Sequence, residues 1–134
     1  MFTEAEKAYL LGQRLARIAT VSPGAQPDVA PVSFRFDGER FYVGGFRLAR
    51  TLKYKNVRAN ELVALVIDDW ESLEPWRPRG VKVHGRAEVI ETSAGRGALR
   101  VTPETKWSWG INRPVFVTGD HRDYVMDVAR AKGN

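Results

Sequence analysis

The sequence predicts a mainly β domain in which about six antiparallel strands close into a small barrel flanked by short helices. Three observations carry that prediction. Residues 15–21 and 81–89 alternate apolar and polar side chains with the period of a pleated strand. Ser22-Pro23-Gly24 and Asp37-Gly38 are turn signals placed between such runs. Residues 62–68, LVALVID, form an almost continuous apolar run of strand length, which predicts a strand buried on both faces. Closure of the sheet removes exposed edges, and so small a barrel fills its interior with side chains. A ligand is therefore expected outside the barrel, in a groove at a subunit interface.

In chain order, Thr3 and Glu6 form a capping-box pattern, with Ala5, Leu10 and Leu11 on one side of a short N-terminal helix. Strands are expected over residues 15–21, 28–36 and 41–46, making a three-stranded antiparallel meander. A basic stretch follows, and then the apolar strand. Residues 68–79, DDWESLEPWRPR, break the pattern with acids, two prolines and two tryptophans and read as a long ordered loop. The alternating strand comes next, then a turn region over residues 92–97. Residues 99–109 contain a strand interrupted at Pro103, and residues 115–117 a further short one. Asp120 and Asp123 can cap a final helix with Val125, Val128 and Ala129 on one face and Gly133 past its end.

At 134 residues the chain is one domain, 1–134, with ordinary globular composition: 43% hydrophobic and 28% charged. It has no cysteine, which excludes disulfides, thiolate metal sites and cysteine nucleophiles. Two histidines far apart in sequence, His84 and His121, leave little for a zinc site or a histidine triad, so no metal is expected. Acidic residues stand where a signal peptide would be basic, and no run reaches membrane-span length; a cytoplasmic location with no membrane partner is expected. The net charge of +5 suits an anionic partner.

The charge concentrates in residues 44–58, GGFRLARTLKYKNVR, where Arg47, Arg50, Thr51, Lys53, Lys55, Asn56 and Arg58 follow two glycines. A tight exit from a strand into a short basic helix can hold an anion, because helix-start N–H groups point outward and the dipole favours negative charge. The stretch is therefore read as a grip for a cofactor phosphate; the alternative is a solvated basic helix joining two strands. Trp70, Trp76, Trp107 and Trp109 suit core or interface packing, or stacking on a planar ligand.

The pieces LARIATV, PDVAPVSFRFDG, FYVGG, TLKYKNVR, VALVIDD, PWRPRGVKVHGRAEVI and SWG stand in this order over residues 2–110. So arranged, the chain resembles the pyridoxamine-phosphate-oxidase-like split-barrel family, and within it the actinobacterial branch of deazaflavin (coenzyme F420) dependent oxidoreductases. The resemblance implies a six-stranded antiparallel split β-barrel, homodimeric, with a flavin-like cofactor in each of two interface grooves. It implies that Pro31, Val32, Ser33 and Phe34 run beside the tricyclic ring and that Thr51 and Lys53, with Arg50 nearby, meet the phosphate. Asn56 is expected to fix the helix. Trp76, Arg79 and Trp109 are expected to reach the partner's groove. An oligoglutamate tail on the deazaflavin would give Arg47, Lys55, Arg58 and Arg79 a use. Residues 111–134 match nothing in the family; beyond the short strand at 115–117 they are read as a helix that packs a dimer or as a lid over the groove.

One departure stands out: where many relatives carry a histidine near the proline of the second strand, this chain has Asp28 and Val29. An acid pointing into the groove would disfavour an anionic ligand. The chemistry implied is hydride transfer from the reduced cofactor to an activated double bond of a small organic substrate. Ser33, Tyr42 and Tyr54 are conceivable proton donors, and no catalytic residue is assigned. The alternatives are an FMN-dependent oxidoreductase of the same fold, a cofactor carrier without turnover, or a nucleic-acid binder using KYKNVR. The acids of DDWESLEP argue against the last, so no nucleic-acid partner is expected.

Overall fold

The computed structural model describes residues 1–93, 95–117, 124–125 and 128–133. Helix α1 (Glu4–Leu11) opens on the expected capping box: Glu6 N–H donates to the Thr3 hydroxyl and Thr3 N–H to the Glu6 carboxylate. Strands β1 (Leu15–Val21) and β2 (Pro27–Ser33) form an antiparallel hairpin, and β3 (Arg35–Phe36) and β4 (Phe41–Val43) form another. A 3₁₀ turn (Leu48–Arg50) leads into α2 (Leu52–Ala59). The long strands β5 (Leu62–Ser72), β6 (Arg77–Glu91) and β7 (Gly97–Trp109) follow. After them come β8 (Phe116–Val117), β9 (Tyr124–Val125) and β10 (Val128–Lys132).

The sheet runs β2-β1-β5-β6-β7-β4-β3, with β10 also paired to β7. Only Phe34 separates β2 from β3 in the chain, yet these strands stand at opposite ends of that order. The sheet must therefore curl back on itself into an antiparallel split barrel whose seam lies at residues 33–35. The inward side chains of the strands, among them Ala16, Ile18, Leu65, Ile67, Val81, Val83, Leu99 and Val101, are all essentially inaccessible. An aromatic cluster of Phe2, Phe36 and Phe41 closes one end, with ring centroids 4.8–6.0 Å apart.

The structure corrects five details of the sequence reading. The meander is not one: the 28–36 run breaks at Phe34, and its two halves serve opposite edges. Strand β5 is fully buried on one face only: Val63, Leu65 and Ile67 are buried, whereas Leu62 is exposed and Ala64 and Val66 are half-buried. Residues 68–79 are not a loop; β5 and β6 continue to a connection of residues 73–76, which contains a cis Glu74–Pro75 bond. The acids that suggested solvent are cross-strand partners, Asp69 standing opposite Arg79 in register. Strand β7 passes through Pro103 without ending, accommodated by a bulge at His84/Gly85. A Cβ on Gly85 would come within 2.3 Å of the Thr102 carbonyl oxygen, so only glycine fits there.

The fifth correction concerns the expected final helix. Its caps, Asp120 and Asp123, lie outside the described residues, but Val128–Lys132 is strand, antiparallel to β7 from Val128↔Trp109 to Lys132↔Thr105. Strand β4 pairs with β7 only over residues 99–101, leaving the rest of that edge open. Ladder hydrogen bonds there outweigh a weak helical pattern.

Candidate functional site

The barrel seam opens into a groove of about 900 Å3, within the size of small-molecule sites, roughly 300–1,000 Å3. One wall is the end of β2 and the start of β3, from Pro31 to Arg35; another is Tyr42 with Gly44, Gly45 and Phe46 after β4. Lys53 of α2 closes one side. Opposite come Ile90, Thr92, Ser93, Arg96, Gly97 and Ala98 from the β6–β7 connection. Antiparallel registry builds this wall: Val43 stands opposite Leu99, and Ile90 opposite Ala98, which carries the connection back beside the glycines.

Lys53 is held in place by the local structure of α2. The Thr51 hydroxyl accepts from Tyr54 N–H (3.4 Å) and donates to the Leu48 carbonyl (2.6 Å), so it caps the helix two residues before Lys53. Asn56, 2% exposed, donates from Nδ2 to the Thr20 hydroxyl at 3.0 Å and fastens α2 to β1. That is the structural role expected of it.

The electrostatics of the groove are one-sided. Arg35, Lys53 and Arg96 line it, and among the described residues no carboxylate does. Among the described residues none of the three cations forms an ion pair; Arg35 only lies over the Tyr42 ring, 6.0 Å from its centroid. Asp28, the departure that threatened the site, is not in the wall. The Tyr42 hydroxyl donates to Asp37 at 2.8 Å, and this hydrogen bond raises the phenol's pKa, keeping it protonated. Partial burial pushes the Asp37 carboxyl up. Donation from the Arg40 and Glu39 N–H groups and from Tyr42 outweighs that and leaves it below its usual value.

Of the residues expected at the site, the structure gathers Pro31, Val32, Ser33, Phe34 and Lys53 into one groove. Arg50 and Thr51 stand at the start of α2, outside the wall. Trp76, Arg79 and Trp109 are elsewhere. Arg79 and Ile90 are separated by about 36 Å of strand at roughly 3.3 Å per residue. Arg79 is also engaged: it donates twice to Asp69, at 2.7 and 2.9 Å, and lies over the Tyr9 ring. The Arg79 hydrogen bonds hold the Asp69 carboxyl below its usual range. Trp109 packs on Gly80, where a Cβ would meet its ring at 2.5 Å. Sequence reasoning did not name Arg35, Thr92, Ser93, Arg96, Gly97 or Ala98 as site residues, and it placed Gly44 and Gly45 only within the basic stretch. The free cations and the paired glycines were visible, but their adjacency depends on long-range register.

An antiparallel split barrel with an anion-receptive groove along its seam defines a class of cofactor-binding proteins. Residues 2–109 match the family model of pyridoxamine 5'-phosphate oxidase, and the chain belongs to that family. It is 34% identical over 129 residues to a 5a,11a-dehydrotetracycline/5a,11a-dehydrooxytetracycline reductase of Streptomyces rimosus, with 90% of each chain covered. Among solved structures, a conserved hypothetical protein of Mycobacterium tuberculosis superposes with a TM-score of 0.68 at 20% identity. That match covers 92% of this chain and 96% of the other. An F420 reductase superposes with a TM-score of 0.64 at 22% identity, covering 78% and 98%. These structural likenesses establish the fold. No described helix is long and apolar enough to cross a membrane.

Proposed function

We propose that the seam groove holds a deazaflavin of the coenzyme F420 type, and that the protein uses it as an oxidoreductase acting on an activated double bond of a small organic substrate. The observation that carries this reading is the set of three cations, Arg35, Lys53 and Arg96, in a groove where, among the described residues, they have no ion-pair partner and no carboxylate lines the wall. Lys53 offers a compact charge to a phosphate, and Arg35 and Arg96 offer bidentate donors to further anionic groups. Val32, Phe34, Ile90 and Ala98 supply apolar surface for a planar ring. The bound deazaflavin would supply the hydride; the chain's own residues bind, orient and exclude water. The Streptomyces relative is named as a reductase of dehydrotetracyclines, which supports an unsaturated, polycyclic type of substrate. FMN is the alternative cofactor, but its single phosphate leaves the surplus of cations without a use.

A homodimer belongs to the same proposal. Leu15, Leu62 and Trp70 lie on the outer face of the sheet and are 48%, 48% and 60% exposed. Such an apolar face favours association. A second copy is also the only way Trp76, Arg79 or Trp109 could serve a groove, given their distance from it within one protomer.

Titration of the purified protein with coenzyme F420 and with FMN, followed by tryptophan fluorescence, tests the reading. F420 is expected to bind the more tightly, and Lys53→Ala is expected to weaken it by about 1.5–3 kcal/mol, one charge-assisted hydrogen bond. Binding of FMN alone would overturn the choice of cofactor, and unchanged affinity in folded Lys53→Ala would remove Lys53 from the site.

A further inference from the structure

Gly44 and Gly45 follow β4 where the chain turns toward α2, and both line the groove with Lys53. Neither glycine is required by the fold. Their φ values lie outside the left-handed region, so a larger residue could adopt the backbone. A Cβ built on either would meet nothing within 4 Å. The contrast with Gly80, Gly85 and Gly110 is sharp, because at each of those a Cβ would collide within 2.1–2.5 Å. Among the described residues neither N–H of Gly44 and Gly45 donates to a protein acceptor. Two adjacent glycines cost conformational entropy on folding, and the protein's packing gives nothing back for it. Both glycines are exposed and line the groove, so a Cβ added at either would meet no protein atom.

We infer that Gly44 and Gly45 are specificity-determining residues of the groove. Their bare backbone keeps it wide enough for the phosphate-bearing chain of a flavin-like ligand and leaves two N–H groups without a protein acceptor in its wall. The ligand class admitted is an extended polyol phosphate joined to a planar ring; a side chain at either position occupies the space it needs. Arg96 and the Thr92 and Ser93 hydroxyls stand in the same groove and set its polar character. This inference rests on the cofactor reading proposed above and sharpens it.

The test is a volume series, Gly45→Ala, Gly45→Val and Gly45→Phe, with Gly44→Val and Lys53→Ala alongside. Each variant is measured for thermal midpoint and for affinity toward coenzyme F420, FMN and riboflavin by fluorescence titration. The series is expected to leave the midpoint within a few degrees of wild type. Affinity for the preferred cofactor should fall progressively with side-chain volume, by tenfold or more at Gly45→Val. Wild-type affinity in Gly45→Val and Gly44→Val would overturn the inference even where Lys53→Ala weakens binding. A collapse of the midpoint would overturn it too, by showing that the fold itself requires glycine. Failure of the wild type to bind any of the three ligands would overturn both the inference and the cofactor reading.

Discussion

The buried pair Glu6–Lys106 gives the most demanding test of the physical account. Glu6 on α1 is 0% exposed and Lys106 on β7 is 3% exposed, and the ammonium donates to both carboxylate oxygens. Thr3 N–H (2.8 Å) and Asn112 Nδ2 (3.3 Å) complete the carboxylate's partners. Burial pushes the Glu6 carboxyl up, but hydrogen bonds from Lys106, Ser108 and Thr3 and the Lys106 charge bring it below its ordinary value. Lys106→Met keeps the length of the side chain and removes the charge, stranding a desolvated carboxylate on neutral donors. Breaking such a pair costs about 3–5 kcal/mol, which at about 3–4 °C per kcal/mol for a chain of this size lowers the midpoint by about 10 °C or more.

The sign of the pH dependence follows. In wild type the folded pKa of Glu6 lies below the unfolded one, so its contribution is present above the unfolded value and lost as pH falls through the folded value. In Lys106→Met burial dominates and the folded pKa rises, so the variant regains stability on acidification. The difference between the proteins is therefore largest near pH 7 and shrinks toward about pH 4. Urea denaturation followed by circular dichroism at both pH values measures it. The double variant Glu6→Gln/Lys106→Met should recover more than half of the loss, since no charge is left stranded. A loss below about 1 kcal/mol at pH 7, or a loss independent of pH, would refute the reasoning.

Two further outcomes follow from the same coordinates. Thr51→Ala removes the cap of α2 and should cost about 1 kcal/mol in chemical denaturation, with Thr51→Ser restoring most of it. Gly85→Ala drives a Cβ against the Thr102 backbone at the β6–β7 bulge. It should destabilise by about 1–3 kcal/mol or more, which a shifted thermal midpoint would register.

Those parts of the fold that depend on neighbouring residues were readable in the sequence. The capping box at Thr3 and Glu6, strand β1, the Asp37-Gly38 turn and the helix after Thr51 all came from patterns a few residues long. Pro31 to Phe34 came from the family resemblance and not from a local pattern, whereas Lys53 belongs to one continuous basic stretch. The opposite wall was not readable, because Thr92, Ser93 and Arg96 to Ala98 are brought to Gly44 by the pairing of β7 with β4 and β6. Strand β10 failed for a related reason. Its identity is decided by an open edge of β7 contributed by residues some twenty positions earlier in the chain.

Register also separates the cations that could form a site from those that could not. Across the sheet, basic residues meet acids: Arg17 with Asp68, Arg79 with Asp69, Arg86 with Glu61 and Glu104, and Arg100 with Glu88. Most of these pairs are at the surface and contribute little stability each, but each occupies a guanidinium. Arg79 was expected at the site from the family resemblance; it stands far along β6 from the groove and its guanidinium is taken up by Asp69. Arg35, Lys53 and Arg96 have no such partner among the described residues and share one cavity. A net charge of +5 alone could have meant a diffuse basic surface. Cross-strand pairing elsewhere leaves Arg35, Lys53 and Arg96 together in one cavity without an ion-pair partner among the described residues, and that grouping is the ground for the phosphate-bearing ligand proposed above.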